Sequence, residues 1–247
     1  MKLTHLEDNI PASYVNEYIN LFGHLQEPTR TALGYTLDLA SYLSNMGLAR
    51  NYLIFGGYAV LSHLMNTFGT GFAKTWRGSE DIDMIGDQRV LQAIKSGYEV
   101  YSDRASPNLK DKRTVKLSGE AGVDCKIDFS FGNIEDRFEK SEVHNHLGID
   151  LNVPSSLRLI RGKLLTPKKE LKHYGDILGM LSVLEVRGCS PDQVVDYFNA
   201  EECGEVCDRL RIAQERFSND RLGIFPSGDF STSLSDKLKK KAKRFAR

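Results

Sequence analysis

The sequence predicts an α+β fold with a helical C-terminal part. Three observations carry that expectation. Short apolar runs with strand alternation concentrate between about residues 50 and 150. Helical apolar spacing dominates before and after them. After Pro154 the texture changes to leucine-rich helical stretches around Lys163. The expected organisation is 1–153 as an α+β domain with N-terminal helices, 154–235 as a helical domain and 236–247 as a basic tail.

Residues 11–47 read as two helices. Pro11 and Ser13 favour a start there, and Tyr14, Tyr18, Ile19 and Phe22 share a stripe. The second helix, about Thr29–Met46, repeats Leu33, Leu37, Ala40 and Leu43, with Gly47 as its C-cap. Tyr52–Phe55 is a buried strand, followed by Gly56-Gly57 and a helix over Tyr58–Asn66. Asp81–Ile85 reads as a strand and Gln88–Lys95 as a helix. Tyr98–Tyr101, Thr114–Leu117 and Lys126–Phe131 complete the strands, with turns at Pro107-Asn108 and Gly119–Gly122. Helices are expected over Lys169–Val186, Pro191–Asn199 and Glu201–Phe217, and a loop over Asp220–Ser235.

The 247-residue chain has 40% hydrophobic and 27% charged residues, a globular composition. Its formal net charge is zero, so overall charge favours neither nucleic acid nor membrane. No apolar run approaches the roughly 18 residues of a membrane span. Met1–Tyr14 lacks the apolar region of a secretory signal. The four cysteines do not form a disulfide framework, and Cys203 and Cys207 read as packing residues. A cytoplasmic setting is expected.

Asp81 and Asp83 alternate with Ile82 and Met84. On a strand, side chains i and i+2 share a face, so the two carboxylates project side by side. Like charges held that close repel unless a cation lies between them, and a hard divalent ion with oxygen ligands is the usual solution. Asp128, between Ile127 and Phe129, offers a third strand-borne carboxylate. Gly56 and Gly57 let the backbone turn sharply before a helix whose N-terminus suits phosphate. Arg77 and Ser79, just before the acid pair, are candidate donors to phosphate oxygens. A surface turn is the plain alternative for Asp81 and Asp83, and the apolar Ile82, Met84 and Ile85 fit it badly. The whole order points to metal-assisted phosphoryl chemistry.

These residues resemble the nucleotidyltransferase superfamily typified by DNA polymerase beta. Its signature is hG[GS], then Dh[DE]h, then a third h[DE]h. Phe55-Gly-Gly57, Asp81-Ile-Asp83-Met and Ile127-Asp128-Phe fill those slots. Within it the chain is similar to the AbiEii/AbiGii toxin branch, with GG-x-A at Gly56–Ala59 and R-x-S-x-D-x-D at Arg77–Asp83. Leu159, Lys163 and Thr166 follow L-x3-K-x2-A with Thr for Ala. Asp176 closes a D-x-x-D whose first position holds His173. The resemblance spans about residues 50–180.

It implies a small mixed sheet flanked by helices. It also implies two Mg²⁺ ions on Asp81, Asp83 and Asp128, with an NTP as substrate. Gly56, Gly57, Arg77, Ser79, Lys163 and Asp176 would bind the nucleotide, with Lys163 facing the triphosphate and Asp176 contacting the nucleotide or orienting Lys163. The implied acceptor is an RNA hydroxyl such as a tRNA 3′ end, or a protein side chain, in a toxin–antitoxin or phage-defence setting with an antitoxin partner. Transfer to a small molecule and a non-catalytic nucleotide-binding module are the competing readings. Gly57 stands where many members carry Ser. The spacing from Gly57 to Asp81 is longer than usual and is expected to hold an extended loop at Phe68–Trp76, a lid or partner contact.

His144-Asn-His146 resembles an HNH nuclease label without its surroundings and reads as loop. The stretch Asp236–Arg247 has seven basic residues in twelve. It reads as a frayed terminus or as an RNA-backbone contact that folds on binding, since Leu238, Ala242 and Phe245 share a helical face.

Overall fold

A computed structural model describes residues 12–76, 78–107, 109–118, 124–132, 141–165, 171–217 and 225–245. The chain divides into two compact units, 1–62 with 76–154, and 63–75 with 155–247.

The first unit is α+β. Helices α1 (Ala12–Phe22) and α2 (Glu27–Asn45) lead into β1 (Tyr52–Phe55). Gly47 ends α2 at φ 72° while the Leu48 N–H reaches back to Leu43 O at 2.8 Å, the glycine-capped ending that the sequence predicts. Helix α3 (Gly56–Phe68) follows β1 directly, and the division between the units falls inside it. Then come β2 (Asp81–Gly86), α4 (Gln88–Gly97), β3 (Val100–Ser106), β4 (Leu109–Leu117) and β5 (Cys125–Phe131). Asp87 caps α4 by accepting from the Val90 N–H at 3.0 Å.

These five strands form one mixed sheet in the order β1-β2-β5-β4-β3. β2 and β5 are parallel, and the other pairs are antiparallel. The pairing of β2 with β5 fixes the register of the acids. Alternation does the rest: Ile82, Met84, Ile127 and Phe129 are fully buried, while Asp81, Asp83, Lys126 and Asp128 line the half-exposed face.

Two elements differ from expectation here. His144-Asn-His146 is not loop but the end of β6 (Ser141–His146), paired antiparallel with β7 (Ile149–Pro154). The connection is the two-residue turn Leu147-Gly148, with φ of 55° and 77°. That matches a type I′ hairpin, which twists with the strands. A leucine in the left-handed region is uncommon, so the turn carries no compositional signal. Asn152 of β7 donates to Ala49 O at 2.7 Å.

The segment Phe68–Trp76 is not an extended loop. Thr70–Thr75 forms a 3₁₀ helix, with Ala73 fully buried and the Phe68 and Phe72 rings 5.4 Å apart.

The second unit is helical: α5 (Ser156–Leu165), α6 (Leu171–Val186), α7 (Pro191–Asp196), α8 (Glu202–Phe217) and α9 (Gly228–Phe245). α6 buries apolar side chains on every face, as a central helix does. Ser190 and Gln193 form a reciprocal capping box at the start of α7. Residues 228–245 are one helix, so 228–235 are not the loop expected there and the basic stretch is helical through Phe245, while 220–224 of the expected loop lie outside the described residues. Phe230, Leu234 and Leu238 supply a buried i, i+4, i+8 stripe, and Lys241 donates to the terminal carbonyls of Val195 and Phe198. Cys203 is fully buried, as a packing residue should be, and all four cysteines are free. Among the described residues no helix is long and apolar enough to cross a membrane.

Candidate active site

The site is a patch on the half-exposed face of β2 and β5. Asp83 stands beside Asp128 in register, and Asp81 stands beside Lys126. Neighbouring parallel strands lie about 4.8 Å apart, so these four side chains rise from one small square of backbone positions. Lys126 Nζ donates to Asp128 Oδ2 at 2.7 Å and lies 3.6 Å from Asp81 Oδ2. Burial lowers the Lys126 pKa, but the hydrogen bond to Asp128 and the charges of Asp128 and Asp81 outweigh it, so the net shift is upward and the ammonium stays charged.

Each acid has its own support. Thr114, opposite Asp128 on β4, donates to Asp128 Oδ1 at 3.1 Å. Ser79 donates to Asp81 Oδ1 at 3.0 Å. Asp83 lies over Gly56, the first residue of α3: a Cβ at Gly56 would sit 1.8 Å from Asp83 Oδ2. Gly56 also holds φ 70°. Two independent reasons therefore require glycine there, a left-handed backbone and a carboxylate pressed against the Cα. Gly57 continues buried into the helix.

The loop before β2 is pinned at three points. Trp76 is buried with its ring 5.2 Å from that of Tyr58, and Gly78 packs on Thr29 at φ 87°. The Tyr58 hydroxyl donates to Ser79 O at 2.6 Å, with Thr29 O a second acceptor at 3.2 Å. This fixes Ser79 against Asp81. Arg77 lies outside the described residues. Cys125 begins β5 beside the patch, yet burial, and then the charge of Asp81, push its thiol well above the usual range. It stays protonated at neutral pH and is no nucleophile.

The donor set suits a hard divalent cation. It consists of carboxylate oxygens on adjacent strand positions, with hydroxyl groups that orient two of them. The N-terminus of α3 next to Asp83 adds backbone N–H groups and a positive dipole end that favour phosphate oxygens.

The chain matches no protein-family profile and no curated protein sequence. In structure it is similar to an antigenic nucleotidyltransferase-like protein from Paracoccidioides brasiliensis. That match has 16% identity and a TM-score of 0.45, and covers 79% of this chain and 94% of the other.

Lys163 and Asp176 belong to the second unit. They meet each other there: Lys163 Nζ donates to Asp176 Oδ2 at 2.7 Å, with side chains only 9% and 4% exposed. Holding an ion pair this deep is costly, which sets it apart from a solvated helix-face pair.

Sequence reading missed Lys126 and Thr114. Lys126 carried a signal, since Lys-Ile-Asp puts it two residues from Asp128 and hence on the same face. Thr114 carried none, because its partner is set by cross-strand register. A further polar cluster of the first unit was also missed. The Ser62 hydroxyl lies 2.8 Å from His144 Nδ1 and 2.7 Å from His146 Nε2, and His144 Nε2 lies 3.1 Å from Glu142. One hydroxyl proton serves one ring, so Ser62 donates to one imidazole and accepts from the other.

Proposed function

We propose that the chain is a Mg²⁺-dependent nucleotidyltransferase that moves a nucleotidyl group from an NTP to an acceptor hydroxyl. One observation carries this reading: Asp83 stands in register with Asp128, and Asp81 lies two positions away on the same half-exposed face, next to the glycine start of α3. Three carboxylates carried on one face of two adjacent strands supply oxygen donors of the kind a hard divalent cation takes.

Bound divalent ions supply Lewis-acid polarisation of the phosphoryl oxygens and acidify the acceptor hydroxyl. The side chains supply the rest. Asp81, Asp83 and Asp128 hold the cations, while Thr114 and Ser79 fix the acids that they touch. Asp128 also receives the proton of the acceptor hydroxyl. The acceptor oxygen forms a bond to the α-phosphorus as the bond from that phosphorus to the β-phosphate oxygen breaks, and pyrophosphate leaves. The N–H groups at the start of α3, with Ser79 and Arg77, bind phosphate oxygens. In this reading residues 1–153 carry the chemistry.

The acceptor we assign is RNA, such as a tRNA 3′ end, in a toxin setting of the AbiEii/AbiGii kind with an antitoxin as partner. Lys239, Lys240, Lys243 and Arg244 support it, lying together on the side of α9 away from its buried stripe. The test is incubation with each α-labelled NTP, Mg²⁺ and total tRNA. Label on RNA is expected, and Asp83→Asn or Asp128→Asn should abolish it. Label on the protein or on small hydroxyl compounds would reassign the acceptor. No transfer to any acceptor, or a variant as active as wild type, refutes the reading.

A further inference from the structure

The carboxylate patch contains its own cation. Lys126 Nζ is 2.7 Å from Asp128 Oδ2 and 3.6 Å from Asp81 Oδ2, so it bridges two of the three acids. The bridge is local to the sheet: Lys126 and Asp128 are i and i+2 on β5, and Asp81 is the register partner of Lys126 across the parallel pair. The ammonium ends between oxygens that the proposed function assigns to divalent ions.

A point-charge ammonium and a hard cation compete for the same carboxylate oxygens. Both cannot hold Asp81 Oδ2 and Asp128 Oδ2 at contact distance. Lys126 is 41% exposed, which leaves a route for it to swing out to solvent on its flexible four-carbon stem. The carboxylate of Asp83, the third acid, lies against Gly56.

We propose that Lys126 is an exchangeable internal counter-ion: its ammonium neutralises Asp81 and Asp128 and is displaced when a divalent cation binds. The inference rests on the metal-binding role proposed for these acids and adds a regulator to it. Lys126 sets the metal affinity low enough that the site loads only at substantial cation concentration, and it keeps the acid patch from repelling itself at other times.

The test uses the full chain, with Lys126→Met to keep the stem and remove the charge, and Lys126→Arg to keep the charge. Mg²⁺ and Mn²⁺ binding is measured by calorimetry, and thermal stability is followed along a cation titration. Two partly exposed ion pairs are each worth little, so removing the competitor should tighten binding by about three- to tenfold. Lys126→Met should melt lower than wild type in chelator and recover most of that loss in excess Mg²⁺, whereas Lys126→Arg should track wild type. Equal or weaker cation binding by Lys126→Met overturns the proposal while leaving the metal site standing. Failure of both wild type and Lys126→Met to bind either cation overturns the metal-binding reading itself, and the exchange with it. An Asp128→Asn control that binds as well as wild type would place the cation elsewhere and overturn the exchange.

Discussion

Gly56→Ala is the sharpest perturbation of this site, because its two costs can be separated. The first is backbone strain. Gly56 holds φ 70°, where an L-residue pays roughly 1–2 kcal/mol. The second is a collision. The new Cβ would stand 1.8 Å from Asp83 Oδ2 and 2.7 Å from its Cγ, so the carboxylate must retreat by at least roughly 1.5 Å to reach ordinary contact. Forcing Asp83 off its rotamer adds about 0.5–1.5 kcal/mol. The sum is about 1.5–3.5 kcal/mol of stability. An acid misplaced by more than about 1 Å should also lower the transfer rate by about a hundredfold.

Gly47→Ala isolates the first cost. Gly47 holds φ 72°, and a Cβ there would meet nothing within 4 Å, so the variant should lose only the roughly 1–2 kcal/mol of backbone strain. Gly56→Ala in an Asp83→Ala background removes most of the second cost, since the colliding carboxylate is gone. Urea denaturation of Gly56→Ala, Asp83→Ala, their double variant and Gly47→Ala gives the coupling. If Gly56→Ala costs no more than Gly47→Ala, costs the same with and without the Asp83 carboxylate, and transfers label within about twofold of wild type, Asp83 does not approach α3 closely. The geometry argued for the site then fails with it.

The buried Lys163–Asp176 pair should show strong non-additivity. Lys163→Met or Asp176→Asn alone breaks a buried ion pair, and should lower stability by about 3–5 kcal/mol. Lys163→Met with Asp176→Leu should lose far less, read by denaturation midpoints. His146 predicts an acid-side loss. Burial, and then His144, lower its pKa to about 4 from an unfolded value near 6.5, so its contribution is complete above about pH 6.5 and drains away as pH falls toward 4. Between pH 7 and pH 5 that amounts to on the order of 1–2 kcal/mol once partial solvent exposure is discounted, and His146→Asn should flatten this part of the stability profile.

The acids were legible because one pattern reports two things at once. In Asp81-Ile-Asp83-Met the apolar positions mark a strand with a buried face, and the same alternation puts both carboxylates on the other face. Gly56 was legible because a glycine that joins a strand straight to a helix marks a sharp turn with close backbone approach. The hairpin holding His144 and His146 was not: its turn is Leu147-Gly148, and a leucine at φ 55° imitates no turn signal. Helix α9 was hidden by its charge. Phe230, Leu234 and Leu238 keep helical spacing, but they are diluted among lysines and serines, and the helix gains its stability from packing on α7 and α8, which no local window contains. Lys126 was in plain view at two residues from Asp128. What the sequence did not carry was the register that brings Asp81 alongside it.

That register is what brings Lys126 beside Asp81. The parallel pairing of β2 and β5 exists because Ile82, Met84, Ile127 and Phe129 bury one face completely. A slip by one residue in either strand would turn its apolar pair out of the core, so the core holds the register firmly. The same register then forces Asp81, Asp83 and Asp128 together, whatever their repulsion. The core therefore fixes which charged side chains share the half-exposed face. Lys126 relieves two of the acids, while Asp83 is stationed at the positive end of α3. The three acids thus have two different kinds of positive neighbour, and under the proposed function only one of them, the ammonium, would compete directly with a cation for the oxygens that it holds.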